Sequence, residues 1–306
     1  MTTAPISISQ LQKSYRGKRG KKVEALRDLS LTLVPGEVFG FLGPNGAGKS
    51  TTIKILMGLI RPGAGQAHIF GISSTDPAAR RNVGFLPENP AFYDFLTARE
   101  YLGFVGKSFA MSSAAIRTES ERVIALLDLT LAANRPIRGY SKGMVQRLGI
   151  AQTLLHDPDL YILDEPMSGL DPIGRALVKD IILDLKKRGK TVFFSTHVTA
   201  DAERVCDRIG VIIDGVFQQE RLVSDLMREG IDGYFCRLSG LRDEQAQQLG
   251  AAYCGDGVFE IFVTRDQFDK LSQKVSQYNA SFDLIEPRRR DIEDYFLKLV
   301  NSSQAT

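Results

Sequence analysis

Gly43-Pro44-Asn45-Gly46-Ala47-Gly48-Lys49-Ser50-Thr51 fits G-x-x-x-x-G-K-[ST], the pattern of a loop that cradles phosphates. Its flanks agree with that reading. Val38-Phe39-Gly40-Phe41-Leu42 is a short apolar run, as a buried strand is. Thr52 to Leu59 carries apolar residues at helical spacing. Strand, glycine loop and helix start leave backbone N–H groups free to surround phosphates, with the positive end of the helix dipole behind them. Lys49 is the charge for the β/γ oxygens, and Ser50 offers a hydroxyl to Mg²⁺. A random chain of this length matches the pattern roughly one time in a hundred, and the flanks lower that further.

The 306 residues suggest one large and one small domain. With 43% hydrophobic residues the chain has material for a substantial core. A net charge of +3 is too weak to argue for nucleic acid, and none is expected as a partner. Cys206, Cys236 and Cys254 are widely spaced and odd in number. They show neither a disulfide framework nor metal spacing, so a reducing compartment is expected. No apolar run approaches membrane-spanning length, and Met1-Thr2-Thr3-Ala4-Pro5 does not read as a signal peptide.

Ile6-Ser7-Ile8 and Leu29-Ser30-Leu31-Thr32-Leu33 alternate apolar and polar residues, as half-exposed strands do. The basic stretch from Arg16 to Lys22 between them reads as a solvated loop. Leu160-Tyr161-Ile162-Leu163 and Thr191-Val192-Phe193-Phe194-Ser195 read as buried strands. The helix between them shows Leu177, Val178, Ile181, Ile182 and Leu185 on one face and ends at Lys187-Arg188-Gly189. That order is a βαβ unit. Val211 to Phe217, with Asp214-Gly215 at its centre, predicts a tight hairpin. Phe95 to Arg135 is helical, with Leu126, Leu127, Leu129 and Leu131 packing near its end. Beyond Glu220, Tyr234–Leu238 and Phe259–Val263 read as strands, and Ile292, Tyr295, Phe296, Leu299 and Val300 form a helical face.

Phosphoryl transfer needs a carboxylate for the metal and a group that places water. Asp164 ends an apolar strand, where a metal-holding aspartate belongs, and Glu165 beside it can polarise a water. Taken alone, the two read more readily as solvated acids at a strand end; paired with the glycine loop, the functional reading is much the better one. His197 follows the next core strand and can hydrogen-bond a γ-phosphate in either tautomer. Tyr140-Ser141-Lys142-Gly143-Met144 starts another helix, with Ser141 as its N-cap and an N-terminus suited to an anion.

With these motifs in this order, the chain resembles ATP-binding-cassette (ABC) transporter ATPases over roughly its first 218 residues, and within them the branch that powers ABC-2-type exporters. The resemblance implies an α/β fold: a P-loop NTPase with a RecA-like core, an N-terminal antiparallel β subdomain and a small C-terminal α+β region. It implies a nucleotide-binding domain over 1–218, with its helical insertion over about 88–140, and an accessory region over 219–306. Ser141 and Gly143 match the family's signature. Ser168-Gly169-Leu170-Asp171 matches its D-loop, and Tyr15 stands where its adenine-stacking aromatic lies. Phe85-Leu86-Pro87-Glu88 puts Glu88 where the family usually presents a glutamine to the metal, and Lys142 and Met144 replace the usual signature glycine and glutamine.

What the resemblance implies for function is an ATPase that binds ATP and Mg²⁺. ATP would be held by Tyr15, residues 43–51, Glu88, Ser141, Gly143 and Asp171. Ser50, Glu88 and Asp164 would hold the metal, and Lys49, Glu165 and His197 would act in hydrolysis. It also implies a head-to-tail dimer of this chain and an integral-membrane permease as partner, which places the chain at the cytoplasmic face of a membrane. The rival is a soluble ABC ATPase acting on ribosomes or nucleic acid. The single cassette and the lack of a sustained heptad run speak against it.

Overall fold

The computed structural model describes residues 3–16, 22–228, 231–289 and 292–304. The chain divides into two compact units, Met1–Arg221 with Ser302–Thr306, and Leu222–Asn301.

In the first unit, β1 (Ile6–Arg16) and β2 (Lys22–Thr32) pair antiparallel, with Ser7 opposite Thr32. The basic stretch expected as a solvated loop falls, over residues 17–21, outside the described residues. β3 (Val38–Leu42) is buried along its whole length and runs into the glycine loop. α1 follows at once, over Lys49–Leu56. It therefore begins three residues before the expected Thr52 and stops short of Leu59. Gly58, at φ +62°, takes the left-handed conformation that ends helices, and Leu59 beyond it is exposed.

β4 (Ala64–Ile69) and β5 (Ile72–Ser73) complete a first sheet in the order β2-β1-β4-β5. β6 (Val83–Leu86) leads toward Glu88. The helical segment follows as α2 (Ala98–Ser108) and α3 (Ser113–Leu126). A capping box between Thr97 and Glu100 starts α2. Of the four leucines expected to pack near its end, Leu127 and Leu129 are buried, whereas Leu126 and Leu131 are exposed. The chain leaves α3 at Leu127, and only the residues on the inner side of that turn meet the core.

α4 (Lys142–Leu154), β7 (Leu160–Asp164), α5 (Pro172–Lys187) and β8 (Thr191–Thr196) come next. α6 (Thr199–Val205) is short, and β9 (Arg208–Ile213) and β10 (Val216–Leu222) close the unit. Asp214 and Gly215, both at positive φ, make the turn between those last two strands. The second sheet has the order β10-β9-β3-β8-β7-β6. β3 pairs in parallel with β8 and β9, and β7 with β6 and β8. Phe39, Phe41 and Phe193 stack inside it, with ring centroids 5.9 and 5.4 Å apart. The same core takes in Ile6, Leu11 and Leu29 of the first sheet, so the two sheets fix each other. The parallel strands then present their carboxyl ends together, where open α/β sheets bind ligands.

The second unit begins with α7 (Val223–Arg228) and β11 (Ile231–Ser239). α8 (Asp243–Leu249), β12 (Ala252–Gly255), β13 (Val258–Thr264), α9 (Phe268–Gln277) and β14 (Ser281–Arg289) follow. The sheet order is β12-β13-β11-β14, all antiparallel. This β-α-β-β-α-β arrangement is ferredoxin-like. Cys236 and Leu238 on one sheet face pack against Leu271 and Val275 of α9. α10 (Ile292–Gln304) is the last element. Among the described residues no helix is long and apolar enough to cross a membrane.

Candidate nucleotide site

The loop from Gly43 to Gly48 sits at the carboxyl end of β3 because two of its glycines allow a close approach. A Cβ on Gly43 would lie 2.5 Å from the Ile212 carbonyl oxygen. One on Gly48, at φ +112°, would lie 2.6 Å from that of Ala25. Lys49 is only 6% exposed and points back along the loop. Its ammonium donates to the carbonyls of Gly43 (2.6 Å) and Pro44 (3.2 Å) and stands 3.5 Å from Glu165 Oε1.

The adjacent strands bring the acids to the same place. Asp164 ends β7 directly opposite Ser195 on β8. Ser195 Oγ donates to Asp164 Oδ1 at 2.6 Å and accepts the Glu165 N–H at 3.0 Å. One buried hydroxyl thus positions both consecutive acids. Ser50 Oγ lies 3.4 Å from Asp164 Oδ1. Glu165 takes a left-handed backbone conformation (φ +48°), a strained state for a non-glycine residue that turns its side chain toward Lys49. His197 Nδ1 is 3.0 Å from Glu165 Oε1.

Pro44, Asn45, Gly46, Gly48, Lys49, Ser50, Thr51, Glu88 and Glu165 border one cleft of about 230 Å³, whereas Gly43 and Ala47 of the same loop do not line it and Ala47 is buried. Ser141, Gly143 and Asp171 border another, of about 280 Å³, together with Arg147, Gly169 and Leu170. The two clefts have no lining residue in common. Ser141 caps α4, its Oγ accepting the Met144 N–H, and Asp171 caps α5 in the same way through Gly174. Tyr15 stands on β1 opposite Val23, with the Lys13 ammonium 5.6 Å from its ring centroid, and does not line the first cleft.

Two residues at this site carried no role from the sequence. Ser195 was legible only as the end of a strand. Its partner Asp164 becomes visible once β7 and β8 are set in parallel register. Gln146, one turn into α4, is buried and donates to the carbonyls of Glu165 and Pro166 at 3.3 and 3.1 Å. It ties the helix capped by Ser141 to the segment carrying Glu165.

A phosphate loop behind the central strand of a parallel sheet, with an acid pair on the next strand but one, defines a P-loop nucleoside-triphosphatase. Residues 26–168 match the ABC transporter family. The chain is 43% identical to an uncharacterised ABC transporter ATP-binding protein of Nostoc sp., over 100% of this chain and 92% of that one. It is 32% identical to the bacitracin transport ATP-binding protein BcrA of Bacillus licheniformis, over 96% of this chain and 97% of that one. Among solved structures, a dimeric ATP-binding cassette in a post-hydrolysis state, bound to ADP and Pi, superposes with a TM-score of 0.64 at 27% identity. That likeness covers 71% of this chain and 98% of the other. The chain belongs to the ATP-binding subunits of ABC transporters, and it binds and hydrolyses ATP.

Proposed function

We propose that two copies of this chain close head to tail on two MgATP molecules and drive a separate permease of the exporter class. The observation that carries this reading is the separation of the two clefts. The phosphate loop faces a cleft that Ser141 and Gly143 do not line, although both are suited to an anion. A second copy supplies the missing wall. ATP then favours the closed pair because some of its contacts exist only there.

Within each site Lys49 meets the β/γ oxygens, and Glu165 holds the attacking water as general base. His197, beside Glu165, contacts the γ-phosphate. Ser50, Asp164 and Glu88 offer hard oxygen donors, a set suited to Mg²⁺ when phosphate oxygens complete it. Held by Ser50, Asp164 and Glu88, Mg²⁺ would neutralise charge on the phosphate oxygens. Tyr15 stacks on the adenine, and Asp171 borders the contact with the other copy.

Export is supported by a fluoroquinolones export ATP-binding protein of Mycobacterium tuberculosis, 42% identical over 62% of this chain and 63% of that one, and by the bacitracin transport relative. A place on the cytoplasmic face of the membrane follows from that partnership. Tyr93 and Phe95, between Glu88 and α2, and Phe104 on α2 form an exposed aromatic group, with Tyr93 about 6 Å from each of the other two rings. Such a group suits a protein contact, here the permease. The test is complementation. Ser141→Arg and Lys49→Ala subunits, each inactive alone, recover one composite site when mixed. No recovered ATPase activity in isolated heterodimers would refute the head-to-tail arrangement.

A further inference from the structure

Asp201 lies outside the nucleotide cleft and is one of the most buried acids in the protein, 2% exposed. Both of its carboxylate oxygens are engaged by one neighbouring helix. Arg175 Nη2 donates at 2.6 Å, and the Lys179 ammonium stands 2.8 Å from Oδ1. Arg175 and Lys179 are four residues apart on α5 and so share a face. Each end of this cluster leads to the site by a short path. Asp201 is on α6, which starts two residues after His197, spans seven residues and has no side-chain N-cap bond. Arg175 is in the first turn of α5, where its backbone N–H donates to the Asp171 carbonyl at 2.9 Å.

The segment 168–171 borders two clefts. Its residues Ser168, Gly169 and Leu170, with Glu165, His197, Arg175 and Asp201, enclose a cavity of about 190 Å³. Gly169 and Leu170 also line the cleft of Ser141 and Gly143. Whatever occupies that second cleft therefore presses on a segment anchored, through Arg175 and Asp201, to the helix behind His197.

We propose that Asp201 is a positioning residue. It locks the His197 loop to segment 168–171, so that filling the Ser141 cleft sets the distance between His197 and Glu165. This rests on the reading that Glu165 and His197 act in hydrolysis. A buried acid holding two cations could equally serve only the fold, and the two roles separate in kinetics. Lys179 pairs with Asp201 but lines neither cleft that segment 168–171 borders, so its loss is expected to weaken the fold without uncoupling the loops.

The experiment compares Asp201→Asn and Lys179→Met in the full chain. It measures steady-state ATPase activity, binding of a fluorescent methylanthraniloyl-ATP and thermal unfolding. Asp201→Asn is expected to lower kcat about tenfold or more, the scale of a small misplacement, with nucleotide affinity held within about threefold. Lys179→Met is expected to lower the unfolding temperature and keep kcat within about threefold. In a His197→Ala background, single-turnover phosphate release should fall by less than about twofold on adding Asp201→Asn. If Asp201→Asn does not fold, Arg175→Lys makes the same comparison with the charge retained. An unchanged kcat, a kcat that follows unfolding temperature across all variants, or an equal loss in both backgrounds would overturn the proposal. Wild-type turnover in His197→Ala alone would remove the role of His197 and this link with it, while leaving the Glu165 reading to its own variant.

Discussion

His197 Nδ1 lies 3.0 Å from Glu165 Oε1, and the Lys49 ammonium lies 3.5 Å from that same oxygen. One carboxylate oxygen thus links the phosphate loop to the ends of β7 and β8. The three residues come from α1, the end of β7 and the end of β8, and parallel pairing around β3 is what brings them together.

Glu165→Gln keeps the shape of the side chain and removes its basicity. ATP binding should persist, and turnover should fall by about 10²-fold or more. Near-normal ATPase activity in that variant would exclude Glu165 as the general base.

Lys49→Ala removes the cation that meets the phosphates and leaves Glu165, whose side chain is only 10% exposed, without the ammonium 3.5 Å from its Oε1. Nucleotide affinity itself should drop by at least about tenfold, since a charge-assisted contact is worth some 1.5–3 kcal/mol. Calorimetric titration with ATP checks this, and unchanged affinity counts against it.

Ser195→Ala deletes a hydroxyl with no exposed surface. The Glu165 N–H loses its acceptor and Asp164 loses a donor. Denaturant unfolding should show a loss of about 1–3 kcal/mol, the cost of a buried unsatisfied group. Turnover should fall while the variant still binds ATP. Full stability in Ser195→Ala would show that this bridge does not hold the acids.

Phe95→Glu or Phe104→Glu places a charge in the exposed aromatic group beside α2. Basal ATPase activity should stay close to wild type, because neither side chain lines the nucleotide cleft. Co-purification with the permease from detergent-solubilised membranes should be lost. Retained association in both variants would move the contact elsewhere.

His156 stacks on Phe109 with ring centroids 3.7 Å apart. Burial holds its pKa below the ordinary value of 6.5, against opposing pulls from the Val83 backbone and from Asp157. Arg122, Glu119, Met111 and Arg188 border the same cavity. Because the folded pKa is the lower one, the unfolded chain binds the extra proton first. The stability contribution is complete above the ordinary histidine range and is lost as pH falls through about 6.5 toward the folded value. His156→Phe should flatten the pH dependence of unfolding as pH falls below about 6.5. An unchanged profile would contradict this.

Much of this site was readable because its chemistry is packed into short contiguous runs. Residues 43–51 announce the loop, and Asp164-Glu165 closes an apolar strand. Ser195 and Gln146 were not readable in the same way. Each acts on a residue 19 to 31 positions distant, through a hydroxyl or amide whose value depends on strand register or helix packing. The strand assignments at Tyr234–Leu238 and Phe259–Val263 fell inside β11 and β13. The ferredoxin-like order of that sheet lay beyond sequence patterning, since it depends on which strands pair.

Sedimentation of the hydrolysis-blocked Glu165→Gln protein, with and without saturating MgATP, tests the central claim most directly. The account predicts a monomer without nucleotide and a dimer with it, reversed when Ser141→Arg is added. A protein that stays monomeric under saturating MgATP, even with its permease present, would contradict it.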